Sequence, residues 1–336
     1  MGNLTIVDIA KEAGVSKATV SRVMNDSGSV SPETRKKILD VIAANKYSPS
    51  VVARNLSKGT SSAIGFVVPE IDNPFFGEML RGVTEITDKN NLTLICYNTD
   101  DDPEKDKRAL NLLKENRVRG ILYTPATDYS GRTERKQLKK ILQGMDAPVI
   151  FMDRDIDYPG VDGVFFNDYE GVYNATKALI DAGHQKIAII NGALTQVLAR
   201  QRQKGYLDAL RDAGIEPEDR YIFLGSYNTQ KGYELSKEML RMEDRPTAVL
   251  TCNNLISMGF LKALHERGES SPEDIACIGL DRIEVLDIIG NPFNFIERDA
   301  KKLGKAAVEL LINRMNFPGR PRMEIVLGTS LVIRQL

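Results

Sequence analysis

Basic, hydroxyl-bearing and small side chains occur together in one short stretch near the start of the sequence, "GVSKATVSRVMN" (14–25). The apolar side chains of this stretch recur at helical spacing, so they would share one narrow face of a short helix. The opposite face carries small, basic and hydroxyl-bearing side chains, which are Lys17, Ala18, Ser21 and Arg22. A short helix with one buried stripe and one free polar face can enter the major groove of DNA. This stretch therefore predicts recognition of a polyanion.

The distribution of charge along the chain points the same way. The whole sequence has 45 basic and 46 acidic residues, which gives a net charge of −1. Residues 1–60 nevertheless contain nine basic and five acidic residues, so the rest of the chain is acidic. A basic segment joined to an acidic body indicates that the segment contacts a negatively charged partner such as nucleic acid.

Residues for catalytic chemistry are scarce. The sequence has two histidines, His184 and His265, and it lacks the nucleophile-elbow, phosphate-loop and dinucleotide-binding motifs. The three cysteines, Cys96, Cys252 and Cys277, fit neither a disulfide framework nor a metal-binding spacing. We therefore expect no catalytic residue, no metal and no cofactor, and a location in the reducing cytoplasm. No apolar run approaches the roughly 20 residues that span a bilayer, so no membrane partner is expected.

Three short helices would position the polar face. Thr5 with Asp8 forms a capping-box-like start, Gly14 ends the first helix, and Ser31 before Pro32 starts the third. The apolar residues expected inside are Val7, Ile9, Ala10 and Ala13, then Val20, Val23 and Met24, and finally Ile38, Val41 and Ile42. A glycine turn between the first two helices is typical of a helix-turn-helix unit, although a generic three-helix bundle is the alternative.

A linker follows, in "SPSVVARNLSKGTSSA" (48–63). Pro49 and the residues rich in serine, glycine and threonine mark it as a connection. Within it, Val51, Val52, Ala53 and Leu56 could share one side of a short hinge helix, which would be unstable alone in water. A plain tether is the alternative.

The remaining sequence alternates short apolar runs with longer amphipathic segments. Nine strands are expected, at 63–68, 92–97, 120–124, 149–152, 163–166, 187–191, 221–225, 248–252 and 275–280. Alternating strands and helices predict an α/β fold with parallel sheets, and nine strands favour two doubly wound lobes with a ligand site between them. The expected domains are a head at 1–47, a hinge and linker at 48–61, and a body at 62–336, with lobes of about 62–161 plus 296–322 and 162–295 plus 323–336.

Several motifs in order resemble the LacI/GalR family of bacterial transcription regulators. They are "TIVDIAKEAGVS" (5–16), "TVSRVMN" (19–25), "VSPETR" (30–35) and "KYSPSVVARNLSKG" (46–59), and the resemblance covers essentially the whole chain. It implies a dimeric DNA-binding regulator that acts as a repressor of carbohydrate metabolism genes on a near-palindromic operator. A carbohydrate-like effector would bind between two lobes of the periplasmic-binding-protein type and control the affinity for the operator.

The resemblance also implies roles for residues of the head. Arg22 would read a guanine, while Lys17 and Ala18 would face other bases. Phosphate contacts would come from Thr19, Ser21, Asn25, Ser31, Thr34 and Tyr47. Thr5 and Ser16 join the contact set, although each hydroxyl has capping or solvation as its alternative. In the hinge, Ala53 and Leu56 would meet the minor groove, with Leu56 as an apolar wedge.

The effector residues that the resemblance implies follow successive strands of the body. They are Asn73, Phe75, Phe76, Asp153, Arg154, Arg202, Tyr227, Asn253, Asp281 and Arg298. Aromatic faces stack on the C–H side of sugar rings, and amides supply both a donor and an acceptor for hydroxyls. Phe75 or Phe76 could instead be a core residue.

Arg298 departs from the family pattern, because many sugar-responsive members carry a glutamine at this position. A buried guanidinium needs a counter-charge. Two alternatives follow: Asp281 and Asp153 neutralise Arg298 inside the protein, or the effector is a sugar acid or sugar phosphate that Arg298 grips. Two other functions compete with a sugar-responsive regulator. They are a sugar-binding transport receptor, which the basic head disfavours, and a catabolite-control-type regulator whose corepressor is a phosphoprotein.

Overall fold

A computed structural model describes residues 5–24, 26–45, 47, 62–126, 132–154, 160–271 and 274–336. The chain forms two compact units, Met1–Ser61 and Ser62–Leu336. The first unit holds the predicted head, and the second holds the body. Among the described residues, no helix is long and apolar enough to cross a membrane.

The head contains three helices, which are α1 (Ile6–Ala13), α2 (Lys17–Met24) and α3 (Pro32–Ala44). Thr5 caps α1 in a full capping box with Asp8, and Gly14 ends it in the left-handed region at φ 66°. A hydrogen bond from Thr5 lowers the pKa of Asp8, which favours the charged form that completes the box. The sequence therefore fixes both ends of α1 through local contacts.

The helices of the head pack on one small apolar core. Its fully buried members include Ile9, Val20 and Ile38, and burial of each contributes about 1.5–3 kcal/mol. The prediction that Val7 faces inward is wrong, since Val7 is 56% exposed and Ile6 packs on the core instead. The start of α1 is rotated by one residue relative to the expected apolar face.

The body contains two six-stranded sheets, and all nine expected strands are present. The first sheet has the order β11-β5-β4-β3-β1-β2, and the second has the order β12-β10-β9-β8-β6-β7. The strands of the first sheet are β1 (Ala63–Val68), β2 (Thr93–Asn98), β3 (Ile121–Tyr123), β4 (Val149–Met152), β5 (Asp162–Phe166) and β11 (Glu324–Leu327). Those of the second are β6 (Ile187–Gly192), β7 (Ile222–Gly225), β8 (Ala248–Thr251), β9 (Ala276–Leu280), β10 (Asn294–Glu297) and β12 (Ser330–Val332).

Helices cover the sheets of both lobes. They are α4 (Pro74–Lys89), α5 (Pro103–Glu115), α6 (Arg132–Leu142), α7 (Asp168–Asp181), α8 (Val197–Asp212), α9 (Thr229–Leu240), α10 (Asn254–Glu266), α11 (Glu284–Ile288) and α12 (Ala300–Asn316). All described pairings in the two sheets are parallel except that of β10 with β12. The predicted fold class, two doubly wound α/β lobes with a helix-turn-helix head, is confirmed.

The chain crosses between the lobes differently from the expected boundaries. β5, at 162–166, pairs with β4, and β11, at 324–327, pairs with β5, so both belong to the first lobe rather than the second. β10 pairs with β9, so residues 296 and 297 belong to the second lobe. Strand pairing between distant segments decides these boundaries, and three short connections, at 167, 298–299 and 328–329, join the lobes.

Helix α12 returns from the second connection and packs closely on α4. A Cβ on Gly82 would lie 2.0 Å from the backbone oxygen of Lys301, and a Cβ on Gly304 would lie 2.2 Å from that of Met79. Because Gly82 and Gly304 have no side chain, the backbones of α4 and α12 can approach each other closely at these two positions. This packing anchors the connection that carries Arg298 to the first lobe.

Candidate DNA-binding surface and effector cleft

The outer face of α2 presents the residues that the sequence predicted for it. Lys17, Ala18 and Arg22 are exposed, and Thr19 and Ser21 are half-buried beside them. Val20 and Val23 are buried on the opposite side, because they alternate with the polar face at helical spacing. The basic side chains are therefore held in water, where a polyanion can reach them.

Three hydroxyl residues of the predicted DNA contact set cap helices. The Asp8 amide donates to Thr5, the Thr19 amide donates to Ser16 Oγ at 3.1 Å, and the Thr34 amide donates to Ser31 Oγ at 3.2 Å. A phosphate contact needs the hydroxyl proton, which Thr5 donates to Asp8 at 2.7 Å and Ser31 donates to Thr34 at 2.8 Å, so these two hydroxyls would have to exchange that acceptor for a phosphate oxygen. Tyr47 is half-buried and packs on the core of the head. Asn25, Ala53, Leu56 and the predicted hinge helix lie outside the described residues.

The ten predicted effector residues line one cleft of about 320 Å³ in the body. Most of them follow the carboxyl ends of parallel strands, where open α/β sheets bind ligands, and Phe75, Phe76 and Arg202 lie in the first two turns of α4 and α8. The cleft is also lined by Glu70, Asp100, Asp101, Leu198, Ser226, Asn228 and Asn254. Sequence separations of more than 200 residues are closed by the fold, so one site receives side chains from both lobes.

Arg298 contacts three carboxylates in the network of buried charges. Its Nε and Nη2 donate to the two oxygens of Asp281 at 2.7 and 2.8 Å, and its Nη1 donates to Asp153 at 3.0 Å. Asp168 lies 3.5 Å from the same Nη1. The structure thus favours the first of the two alternatives for Arg298, in which carboxylates of the protein neutralise it.

Arg202 forms a second buried pair. Its Nε and Nη2 donate to one oxygen of Asp168 at 3.1 and 2.9 Å, and its Nη1 donates to the backbone oxygen of Cys252 at 2.8 Å. Burial alone would lower the pKa of each guanidinium, but the neighbouring aspartates more than offset this, so the pKa values of Arg202 and Arg298 are raised. Both side chains remain charged. Burial also raises the pKa of Asp153, which Arg298 only partly offsets.

Two of these carboxylates lie on left-handed backbone. Asp153 follows β4 with φ 61°, and Asp281 follows β9 with φ 74°. Aspartate tolerates this region better than most residues, yet the conformation is uncommon and clusters at functional sites. Each sharp turn aims a carboxylate from the end of its strand towards Arg298.

The rim of the cleft is acidic. Arg154 donates to Asp101 and, at 2.7 Å, to the backbone oxygen of Pro125. Glu70 is half-buried, and its burial raises its pKa, with smaller effects from Asp101 and Asp72. The guanidinium of Arg154 is therefore bound to groups of its own lobe rather than free for a ligand.

The amide and aromatic side chains are fixed by the elements that carry them. Asn73 caps α4 by accepting from the Phe75 amide at 3.1 Å, and Asn253 caps α10 by accepting from the Ile256 amide at 2.7 Å. Phe75 and Phe76 are both buried in the core of the first lobe and both line the cleft, so neither is a core residue alone.

Tyr227 closes the cleft from the second lobe. Its hydroxyl donates to Asn191 at 2.9 Å, and the Arg202 guanidinium lies 5.3 Å from the centre of its ring. Burial raises the pKa of Tyr227 to about 12, so the phenol is neutral. It can offer its ring and a neutral hydroxyl to a ligand.

The sequence analysis missed Asp168 and Asn254. Asp168 is 3% exposed and pairs with both buried arginines, and the sequence marks it as an acidic residue two positions after the strand "GVFF" (163–166). Asn254 donates to Asn73 at 2.8 Å across the cleft, and its signal was its place beside the predicted Asn253. Among the described residues, no group of three potential ligands could hold a metal ion.

The two sites together define a class of protein. A helix-turn-helix unit with a basic recognition face is joined to a two-lobed body with an enclosed polar cleft, and this is the architecture of a ligand-responsive DNA-binding regulator. Two family models match the chain. Residues 5–50 match "Bacterial regulatory proteins, lacI family", and residues 61–325 match "Periplasmic binding proteins and sugar binding domain of LacI family".

Individual proteins agree with these models. The chain is 37% identical, over 98% of both sequences, to the HTH-type transcriptional repressor PurR of Mannheimia succiniciproducens. It is similar to a lac repressor dimer bound to operator and the anti-inducer ONPF, with TM-score 0.86, 26% identity and coverage of 99% of this chain and 98% of that one. It is also similar to a LacI family regulator from Enterococcus faecium with bound ribose, with TM-score 0.70, 29% identity and coverage of 81% and 97%.

The chain belongs to the LacI family and is a DNA-binding transcriptional repressor. The predictions of the family and of a regulator rather than an enzyme are confirmed by these relatives.

Proposed function

We propose that this repressor changes its affinity for an operator when an uncharged, hydroxyl-rich small molecule, a neutral sugar, binds between its lobes. The observation that carries this proposal is the internal neutralisation of the cleft's guanidinium groups. Five carboxylates and three guanidinium groups line the cleft, and Arg202, Arg298 and Arg154 are each bonded to an aspartate of the protein.

The balance of charge disfavours an anionic effector. A carboxylate or phosphate entering the cleft would displace Asp281 or Asp168 from its arginine, or would lie beside excess negative charge. Both outcomes cost free energy, because a buried charge that loses its partner is strongly destabilising. This supports the neutral sugar over the sugar acid or sugar phosphate.

The remaining polar groups suit hydroxyls. Asn73 and Asn253 combine donors with acceptors, and each aspartate oxygen has more lone pairs than its arginine bonds occupy. The guanidinium carbon of Arg298 lies 4.4 Å from the centre of the Phe75 ring, and the guanidinium of Arg202 lies over the ring of Tyr227. Stacking of a planar base on these rings is thereby restricted, which favours a sugar over a heteroaromatic base. The similarity to the regulator with bound ribose supports the same class.

The operator would be read by α2 of each chain in a homodimer. We propose Arg22 as the guanine-reading residue, Lys17 and Ala18 as its neighbours on the base-facing side, and Thr19, Ser21 and Thr34 as phosphate contacts. A short helix reads few bases, so two copies and a near-palindromic site are required for specificity. The similarity to the dimeric lac repressor on its operator supports this arrangement.

An exposed apolar patch supports the homodimer. Val285, Ile288 and Ile289, at and beside the end of α11, are 53%, 77% and 68% exposed. Neighbouring apolar side chains this exposed favour an interface between chains. Ile288→Asp should weaken association in sedimentation equilibrium, whereas an unchanged mass would remove this patch from the dimer interface.

A ligand panel tests the effector class. Isothermal titration of the full chain with neutral sugars, the matching sugar phosphates and sugar acids, and purine bases should give saturable binding to at least one neutral sugar. The phosphate or acid of that sugar should bind at least tenfold more weakly. Tight binding of an acid, a phosphate or a purine base, with none of a neutral sugar, would contradict the proposal.

A further inference from the structure

Arg298 occupies a place in the chain that gives it access to both lobes. It lies in the connection between β10, in the second sheet, and α12, which packs on the first lobe. Its neighbours Glu297 and Asp299 are exposed, whereas Arg298 is 8% exposed. The side chain therefore points inward from the crossover itself.

The contacts of Arg298 are divided between the lobes. From the first lobe come Asp153, at 3.0 Å, and the rings of Phe75 and Phe166, whose centres lie 4.4 and 5.2 Å from the guanidinium carbon. From the second lobe come Asp281, at 2.7 and 2.8 Å, and Asp168, at 3.5 Å. One cation thus binds carboxylates that belong to two separately folded sheets.

The energetics follow from burial. The side chain of Arg298 is 3% exposed, those of Asp153 and Asp281 are 7% exposed, and that of Asp168 is 3% exposed. Without Arg298, three buried carboxylates would face each other, and the nearby cations that remain, Arg202 and Arg154, are already paired with Asp168 and Asp101. Like charges in a site of low dielectric repel, and separating the lobes would relieve that repulsion by admitting water.

We propose that Arg298 is a positioning residue that holds the two lobes together across the cleft without an effector. Its guanidinium bridges Asp153 of the first lobe and Asp281 of the second. The hydrogen bond from Asn254 to Asn73 is a second, uncharged bridge between the lobes. Effector binding would then modify a cleft that is already closed rather than cause closure. The inference concerns the ligand-free protein, so it stands apart from the proposed effector class.

Electron–electron double resonance on the full, ligand-free and DNA-free chain tests this role. Spin labels at Asp72→Cys, beside the first-lobe rim, and Gln230→Cys, at the start of α9, flank the cleft from opposite lobes, and both positions are exposed. Cys96→Ser removes the exposed native thiol, since Cys252 and Cys277 are buried. Dilution with unlabelled chain keeps the measured distance within one subunit.

Arg298→Gln should lengthen the mean separation between the labels and broaden its distribution relative to the parent, and Arg298→Lys should fall between them. The matched control is Arg314→Gln. Arg314 makes a bidentate pair with Asp162 at 2.7 Å, wholly within the first lobe. This variant should lower stability without changing the distance distribution.

An unchanged distribution in folded Arg298→Gln would overturn the proposal, as would an equal broadening in Arg314→Gln. If Arg298→Gln does not fold, Asp153→Asn decides the question. It removes only the first-lobe carboxylate and leaves the pair with Asp281 in the second lobe. A longer, broader separation is then expected, and the parental distribution would overturn the proposal.

Discussion

Arg22 on the head and Arg298 in the body are the same side chain held in opposite environments. Arg22 is exposed on a helix whose other face is buried, whereas Arg298 is enclosed and bonded to Asp153 and Asp281. A guanidinium in water keeps its donors available for the phosphates and base edges of DNA. A guanidinium in the protein interior needs carboxylates, and those carboxylates occupy the donors that a ligand would otherwise use.

The comparison teaches that the number of arginines in a site does not define the charge of its ligand. The head is basic and its exposed cations face solvent, so it attracts a polyanion. The cleft contains three arginines, yet its lining carboxylates outnumber them. Under the proposed function, the same residue type supports DNA binding in one unit and a neutral ligand in the other.

The largest expected effect comes from removing the exposed arginine. Arg22→Ala should abolish most of the preference for operator DNA. The proposed guanine contact would be lost from both half-sites, since each chain of the dimer supplies one Arg22. Each such contact contributes about 1–3 kcal/mol of discrimination, so the loss for the dimer is about 2–6 kcal/mol. Competition binding with operator and scrambled DNA measures it.

Arg35→Ala is the control for that experiment. Arg35, in α3, pairs with Asp26 of the turn after α2 at 2.7 Å, and it is not among the proposed base-facing residues. Its removal should change the affinity for operator and scrambled DNA by similar factors. An Arg22→Ala protein that keeps the parental preference would show that α2 does not read the bases.

The next effect is on folding, and it comes from a buried carboxylate. Asp168→Ala should lower the free energy of unfolding by about 3–5 kcal/mol, because it leaves Arg202 and Arg298 short of counter-charge in a dry site. Denaturant titration of the full chain measures the loss, read from the transition of the body.

Asp181→Ala is the matched control on the same helix. Asp181 pairs with Lys177 at 2.7 Å, but both side chains are more than half exposed. Water and ions screen such a pair, so its removal should leave stability within experimental error. Equal losses for the two variants would mean that burial does not distinguish the two kinds of ion pair.

The smallest expected effect concerns pH. Burial raises the pKa of Glu70 above its ordinary value of 4.5, with added effects of Asp101 and Asp72 and an opposing effect of Arg154. Between the ordinary and the raised value, the folded protein holds a proton that the unfolded protein has lost. Stability therefore falls as pH rises through that interval, and the cost persists at neutral pH.

Glu70→Gln should remove that cost. At neutral pH the variant should have a larger free energy of unfolding than the parent, and this gain should be smaller than the loss caused by Asp168→Ala. Well below pH 4.5 the stabilities of the variant and the parent should become equal. Thermal unfolding at several pH values measures the difference. Parallel curves with no gap at neutral pH would show that the acidic rim is fully solvated.

Local patterns made the head predictable from the sequence. Thr5, Gly14 and Ser31 specify helix ends within a few residues, and the apolar positions of α2 recur at helical spacing. The nine predicted strands of the body were also recognisable locally, because each is a short apolar run between longer amphipathic segments. β10, β11 and β12 were not predicted: each has at most three consecutive apolar residues, and β11 is an edge strand with a single buried residue, Leu327.

The residues that line the cleft were predictable from the sequence, but the ion pairs that they form with one another were not. All ten expected residues line it, because they lie just after successive strands or in the first two turns of the helices that follow. The pairing of Arg298 with Asp153 spans 145 residues, and that of Arg202 with Asp168 spans 34. Such contacts depend on how the lobes and turns are arranged, so the sequence left open whether Arg298 meets a protein carboxylate or a ligand.

The central claim is that a neutral molecule in the cleft controls DNA binding by a head that recognises a polyanion. The most direct measurement is the anisotropy of labelled operator, titrated with the full chain in the presence of a sugar and, separately, of its phosphate ester at equal concentration. The neutral sugar should shift the operator Kd at least tenfold, while the ester should leave it unchanged. A shift by the ester with none by the sugar would contradict the central claim.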